Sequence, residues 1–171
     1  DTNGNMLKKS IADYSTSDTF TVESEPSFTV SSDYADYIES YDGKAIETSS
    51  IGNITEVGTT SYSWTRAKLL SQVKESATDY VNYNYDGEGL RISKSHYNNG
   101  VTTTHTYIRD GKKILVEKIT SGSTQKVLNY LHLGDNVIGF VYNNVYYHFQ
   151  KNLQNDIIAI YNKSGIKVAA Y

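Results

Sequence analysis

Tyr83-Asn84-Tyr85-Asp86-Gly87-Glu88-Gly89-Leu90-Arg91 is the stretch that decides how the chain reads. Aromatic and polar residues alternate up to Tyr85, an Asp/Gly run follows, and apolar residues resume at Leu90 and Ile92. Period-two alternation marks a half-buried strand, and Asp and Gly supply turn conformations. Strand, turn and strand in so few residues is a β-hairpin.

The same pattern recurs on both sides. Tyr62-Ser-Trp64, Tyr83-Asn-Tyr85, Tyr107-Ile-Arg109, Tyr130-Leu-His132 and Tyr147-His-Phe149 align, with first tyrosines 21, 24, 23 and 17 residues apart. Four places on stand Gly87, Gly111 and Gly134, with Arg66 breaking the rule. Seven places on stand Leu69, Leu90, Ile114 and Val137, and the Tyr147 unit reaches its apolar run at Ile157 after three extra residues. Second turns follow at Asn98-Asn99-Gly100, Ser121-Gly122, Asn143-Asn144 and Ser164-Gly165. Fixed-period self-similarity of this kind predicts a quasi-one-dimensional array, because one hairpin alone is barely stable and gains by pairing with the next. The expected fold is all-β: tandem hairpin repeats forming a twisted, spiralling sheet.

Composition agrees. The chain has 171 residues, with 16 Tyr, 12 Gly and 1 Pro, and tyrosine fits pleated, half-buried surfaces. The stretch Thr65–Glu75 competes, since Leu69, Leu70 and Val73 have helical spacing among good helix formers. The repeat register makes it a strand, and register takes precedence because tertiary context overrides local propensity. With no cysteine there is no disulfide, thiolate zinc site or cysteine nucleophile. No run approaches the ~18 apolar residues of a membrane helix, and no signal peptide is evident. The sequence starts at Asp1 instead of Met, which reads as a piece of something longer.

Charge is uneven. Between Ser10 and Gly43 lie eight acidic residues and no Lys or Arg, so sixteen basic residues face eleven acidic ones elsewhere. A net +5 spread that widely is not the dense basic face of a nucleic-acid binder, and no nucleic acid is expected as a partner. Three segments follow. Residues 1–12 read as a truncated repeat and 13–36 as an acidic, Ser/Thr-rich insert. Residues 37–171 read as tandem repeats cut short at the C-terminus. Within the insert Phe-Thr-Val occurs twice, at Phe20–Val22 and Phe28–Val30. An inserted hairpin or a loop would fit, and composition leans to the loop.

The quoted nonapeptide is similar to the Tyr-x-Tyr-Asp-x-x-Gly-x-Leu/Arg signature of YD repeats, the unit of RHS proteins. Ile51-Gly-Asn-Ile54, Tyr62-Ser-Trp64, Leu90-Arg91 and Tyr147-His-Phe-Gln-Lys-Asn152-Leu-Gln-Asn-Asp156-Ile-Ile-Ala-Ile160 resemble successive landmarks of the RHS core in clostridial surface and secreted proteins. The resemblance spans nearly the whole chain outside about residues 13–36. Only Tyr85-Asp86 keeps the Tyr-Asp pair in full; the others read Trp64-Thr65, Arg109-Asp110, His132-Leu133 and Phe149-Gln150. The resemblance implies a relative of teneurins and insecticidal toxin-complex shells, in which such hairpins wind into a β-shell around a C-terminal toxin. It implies a secreted or bacterial cell-surface location. The remainder of the parent chain, both flanking repeats and C-terminal effector, would be the partner.

No catalytic constellation appears. The four histidines (His96, His105, His132, His148) lack the short spacings of zinc ligands. Asp1-Thr-Asn3-Gly4-Asn5 misplaces the glycine of a calcium loop and has Ala12 where a bidentate Glu is required. Asp86 and Glu88 are a turn pair, Asp86 bonding its own backbone, not the two carboxylates of a glycosidase. Gly87-Glu-Gly89 is too short for a dinucleotide fingerprint. The chain is therefore read as non-enzymatic, with no metal and no cofactor. The aromatics form a tyrosine ladder, cross-strand aromatic pairs contributing roughly 0.2–1 kcal/mol each. The alternative is a carbohydrate-binding or adhesion module in which Tyr62, Trp64 and Tyr85 engage cell-surface glycans. The C-terminal run Ile166-Lys-Val168-Ala-Ala-Tyr171 is apolar apart from one lysine and proline-free, so the isolated segment is expected to associate edge to edge or to fray at its terminal units.

Overall fold

Seventeen short strands, seven of their connections two-residue turns, make up the computed structural model, which describes residues 11–14, 20–24, 27–31 and 37–171. The proposed truncated repeat at 1–12 lies almost wholly outside these residues. The chain divides into two compact units, Asp1–Ala77 and Thr78–Tyr171. In the first, β1 (Ile11–Tyr14) pairs with β2 (Phe20–Ser24). A second ladder there comprises β3 (Phe28–Val30), β4 (Ile38–Tyr41), β5 (Lys44–Thr48), β6 (Ile54–Val57), β7 (Thr60–Thr65) and β8 (Leu69–Lys74). The second unit runs β9 (Asp79–Tyr85), β10 (Arg91–Asn98), β11 (Val101–Asp110), β12 (Lys113–Ser121) and β13 (Thr124–Leu133). It continues with β14 (Asn136–Tyr142), β15 (Val145–Lys151), β16 (Ile157–Asn162) and β17 (Lys167–Ala170). Within each ladder every strand pairs antiparallel with the next in sequence.

The all-β, hairpin-by-hairpin expectation holds, and the described residues contain no helix. Within Thr65–Glu75, where helical spacing competed with register, Leu69–Lys74 is strand β8. Both Phe-Thr-Val tripeptides of the acidic insert also lie in strands, β2 and β3, against the leaning of their composition toward a loop. Pairing with β1 and β4 supplies backbone partners that composition does not reveal.

Turn chemistry explains why the strands fold back where they do. Asp42-Gly43, Asn99-Gly100 and Asn143-Asn144 carry positive φ at both positions, as a two-residue hairpin turn matched to strand twist requires. Gly111, Gly122 and Gly134 supply positive φ at the first position of the other tight turns. A different, five-residue turn recurs four times. At 86–90, Asp86 accepts the N–H of Glu88 and Leu90 on Oδ1, and Gly89 takes φ 82°. At 152–156 and 162–166, Asn152 and Asn162 play the part of Asp86, with Asn155 and Gly165 at positive φ. At 49–53, Ser49 Oγ accepts the Asn53 N–H and Gly52 is the left-handed residue.

These turns correct the repeat alignment in two places. In the Tyr83 unit the glycine that bends the chain is Gly89, whereas Gly87 keeps an ordinary φ. In the last long unit Asn152 is the counterpart of Asp86, so Phe149, not Tyr147, stands where Tyr83 stands. That displaced starting point accounts for two of the three apparent extra residues; the third arises because the place of Leu90 is taken by Asp156 and the apolar run begins one residue later, at Ile157. A second regularity was not legible at all. In the five aligned repeat hairpins the ladder skips one residue of the second strand, at Ser71, Ile92, Leu115, Ile138 and Ile158. Such bulges raise local twist. They also leave Ile92, Leu115, Ile138 and Ile158 exposed.

Next to one bulge lies Gly139, buried between β13 and β15. A Cβ there would collide with the Tyr147 carbonyl oxygen, a backbone atom that cannot swing aside. Gly139→Ala is expected to cost about 1–3 kcal/mol, the usual range for overpacking. Gly87→Ala, whose Cβ meets nothing within 4 Å, is expected to cost under about 0.5 kcal/mol. Urea unfolding of both variants checks this; equal losses would refute the close approach.

Candidate functional site

One face of the second unit carries the chemistry. Side chains alternate between faces along each strand, and cross-strand pairing aligns Tyr85 with Arg91, Tyr83 with Lys94, Tyr107 with Glu117, Tyr130 with Phe140, and Phe140 with Tyr147. At the β13–β15 end the row is aromatic. Phe140 lies 6.4 Å from Tyr130, 4.8 Å from Tyr147 and 5.7 Å from Phe149. A groove of about 480 Å³ beside it is lined by Leu128, Val137, Ile157 and Ile160 together with these rings.

Toward β9 the row becomes polar. Glu117 bridges three strands: Oε1 meets His105 Nδ1 at 2.6 Å and Oε2 accepts the Tyr130 hydroxyl at 2.6 Å. The Arg91 guanidinium lies 4.4 Å over the Tyr83 ring and 5.7 Å from the Tyr85 ring. Arg109 donates Nε–H to the Arg91 carbonyl at 2.9 Å and a terminal N–H to the Lys112 carbonyl at 3.1 Å. The tyrosine ladder expected from the repeats is thus interrupted, with Arg91 and Glu117 standing between aromatic strands. A second hollow of about 680 Å³, where charged side chains rim an apolar lining, is bounded by Lys113, Ile114, Tyr130, His132, Asp135 and Val137. The Lys113–Asp135 ion pair spans 3.0 Å there.

The residues singled out for glycan contact are placed as follows. Tyr62 and Trp64 lie on β7 of the first unit, where the Trp64 indole N–H is donated to the Ile54 carbonyl at 2.7 Å. Tyr85 lies on β9 of the second unit with its hydroxyl 3.4 Å from an Arg91 nitrogen. The histidines are dispersed: His96 pairs with Asp79 at 2.8 Å, His105 with Glu117, His132 lines the second hollow, and His148 faces Gly139 across β14–β15. Asp86 bonds its own turn, as its sequence position suggests. The role of Glu117 was missed, because it lies on a strand between the aromatic ones; Arg91 and Arg109 entered the reading only as repeat positions, Arg109 at the place that Tyr85 holds in its own unit.

The fold and this face define a class: an all-β array of antiparallel hairpins with a mixed aromatic and ionic row across its strands. No protein-family profile matches the chain. Over 122 residues, 70% of its length, it is 30% identical to the tRNA3(Ser)-specific nuclease WapA of Bacillus spizizenii. Over 123 residues it is 32% identical to the tRNA nuclease WapA of Bacillus subtilis and 29% identical to the tRNA(Glu)-specific nuclease WapA of Bacillus subtilis subsp. natto. The chain spans 5% of the length of each of these relatives. The similarity is distant and concerns a small part of WapA.

Two tyrosines are held in the neutral form. Burial, then the hydrogen bond to Glu117 and its charge, push the Tyr130 hydroxyl well above the ordinary tyrosine value. Burial and Glu117 raise Tyr107, with Arg91 and Arg109 pulling the other way. A tyrosine whose folded pKa is raised contributes stability that is fully present below its unfolded pKa of about 10. Above that pH the unfolded chain releases the proton first, so stability falls as pH rises toward the folded value. Urea midpoints are expected to be level between pH 7 and 9 and to drop above pH 10. The drop should be smaller in Tyr130→Phe, and identical slopes in the two proteins would contradict the raised Tyr130 pKa.

Proposed function

We propose that the chain is a non-catalytic structural stretch of a bacterial surface or secreted RHS/YD-repeat protein, contributing hairpins to a β-shell that encloses or presents an effector. One observation carries the reading. Among the described residues Gly139 and Ala159 alone are buried, so the aromatic face of the second unit stays half open. A sheet whose apolar face has nothing packed on it lacks the second layer that stable domains use. The natural supplier of that layer is the rest of the parent chain, both flanking repeats and effector. The similarity to 5% of nucleases many times longer fits a piece embedded in such a protein. On this reading the cleavage of tRNA named for the relatives belongs to parts of them outside the matched stretch. Exposed Ile166, Val168 and Tyr171 around β17 make edge-to-edge association of the isolated chain part of the same reading.

Two measurements test it. The isolated chain should bind a hydrophobic dye such as ANS, and a longer protein carrying the neighbouring repeats should bind at least several-fold less per chain. Dye binding that is absent from the isolated chain would overturn the need for cover. Incubated with total tRNA, the isolated chain should leave it intact; cleavage lost on heat denaturation would overturn the non-catalytic assignment.

A further inference from the structure

The polar end of the open face carries two arginines beside Lys94, and among the described residues neither arginine has an ion-pair partner. Arg91 on β10 and Arg109 on β11 are both half-buried and stand on adjacent strands, with Arg109 bonded to the Arg91 backbone. Neither makes an ion pair with a described residue; the pairs formed are His96–Asp79, His105–Glu117 and Lys113–Asp135. Glu117, the carboxylate on the same face, has its oxygens committed to His105 and Tyr130. Arg91 is the less satisfied of the two. Its one hydrogen bond, to the Tyr85 hydroxyl, is long at 3.4 Å, and its buried Nε has no partner. A guanidinium is a rigid, permanently charged fork whose geometry matches a carboxylate, and half-buried surroundings strengthen that match.

We propose that Arg91 and Arg109 form a carboxylate-binding site that receives an Asp or Glu side chain from a protein segment laid across this face. The inference rests on the structural reading above and names the chemistry of the covering segment. Two observations favour a protein carboxylate over an acidic sugar. The Arg91 guanidinium already lies over Tyr83, so that ring face is not bare for sugar stacking. The row also continues through Glu117 and Tyr130 into the apolar groove at Phe140, which a sugar would not fill and an amphipathic segment would. An acidic flank beside an apolar anchor is the complement of this face.

The test uses the 15N-labelled chain and follows the arginine Nε–H resonances. Hexaglutamate is the probe, hexaglutamine the uncharged control, and a hyaluronan tetrasaccharide the sugar-acid control. Hexaglutamate should shift the Arg91 and Arg109 resonances saturably, and hexaglutamine should not. Arg91→Lys and Arg109→Lys keep the charge but lose the fork, and each should weaken binding at least five-fold. No shift, an equal shift with hexaglutamine, unchanged affinity in the lysine variants, or tighter binding of the tetrasaccharide would each overturn the proposal. The wild-type titration needs no variant to fold. It also reads carboxylate recognition separately from dye binding, so this site and the structural reading can fail independently.

Discussion

Neighbouring strands of a sheet lie about 4.8 Å apart, and a repeat of two strands therefore places equivalent residues about 9.6 Å apart. Aromatic rings interact at centroid separations of roughly 4.5–7 Å. Tyrosines repeated once per hairpin cannot touch, and the residue on the strand between them decides how, or whether, they are coupled. Arg91 couples Tyr83 and Tyr85 by lying over their rings. Glu117 ties Tyr130 to His105 by hydrogen bonds, and Phe140 joins Tyr130 to Tyr147 and Phe149 through its ring. Glu117 opposite Tyr107 and Phe140 opposite Tyr130 fill one structural position with different chemistries, as Lys94 does opposite Tyr83, and the face changes from ionic to apolar along the row.

The turns hold this arrangement in register. Each tight turn places positive φ on Gly, Asn or Asp, with Arg66 and Ala67 as the departure between β7 and β8. The five-residue turn instead closes on a side-chain oxygen, so Asp86, Asn152, Asn162 and Ser49 are interchangeable there while an apolar residue would leave backbone donors unmet. A one-residue slip would send every side chain to the other face. The bulges following the turns act with them, adding one residue to the second strand of each aligned repeat hairpin at a fixed place. Gly139 shows how little slack remains, since its neighbour's backbone occupies the space of a methyl group.

These constraints stabilise a sheet but not a core. With Gly139 and Ala159 as the buried positions among the described residues, cross-strand pairs and backbone ladders carry the second unit. Half-buried Glu117 is tolerable because both oxygens are bonded; its burial raises the demand for partners instead of supplying stability freely. An incomplete layer of this kind gains most from whatever packs against it.

The sequence by itself determined the strands, their order and the phase of most hairpins. Alternation at Tyr83–Tyr85 and recurring Gly and Asn positions are local signals, and nearest-neighbour pairing makes the fold a sum of local decisions. That is also why β8 was legible despite its helical spacing. Longer-range facts were not. The equivalence of Asn152 with Asp86 depends on which oxygen caps a turn, and Asn and Asp do this alike where repeat counting follows tyrosines. The bulges depend on pairing between two strands, which neither strand encodes alone. Arg91, Arg109 and Glu117 look like ordinary solvated charges in the sequence. Only the alignment of β9 through β13 turns them toward aromatic neighbours, because side-chain partners in a sheet are set by register across strands and not by proximity along the chain.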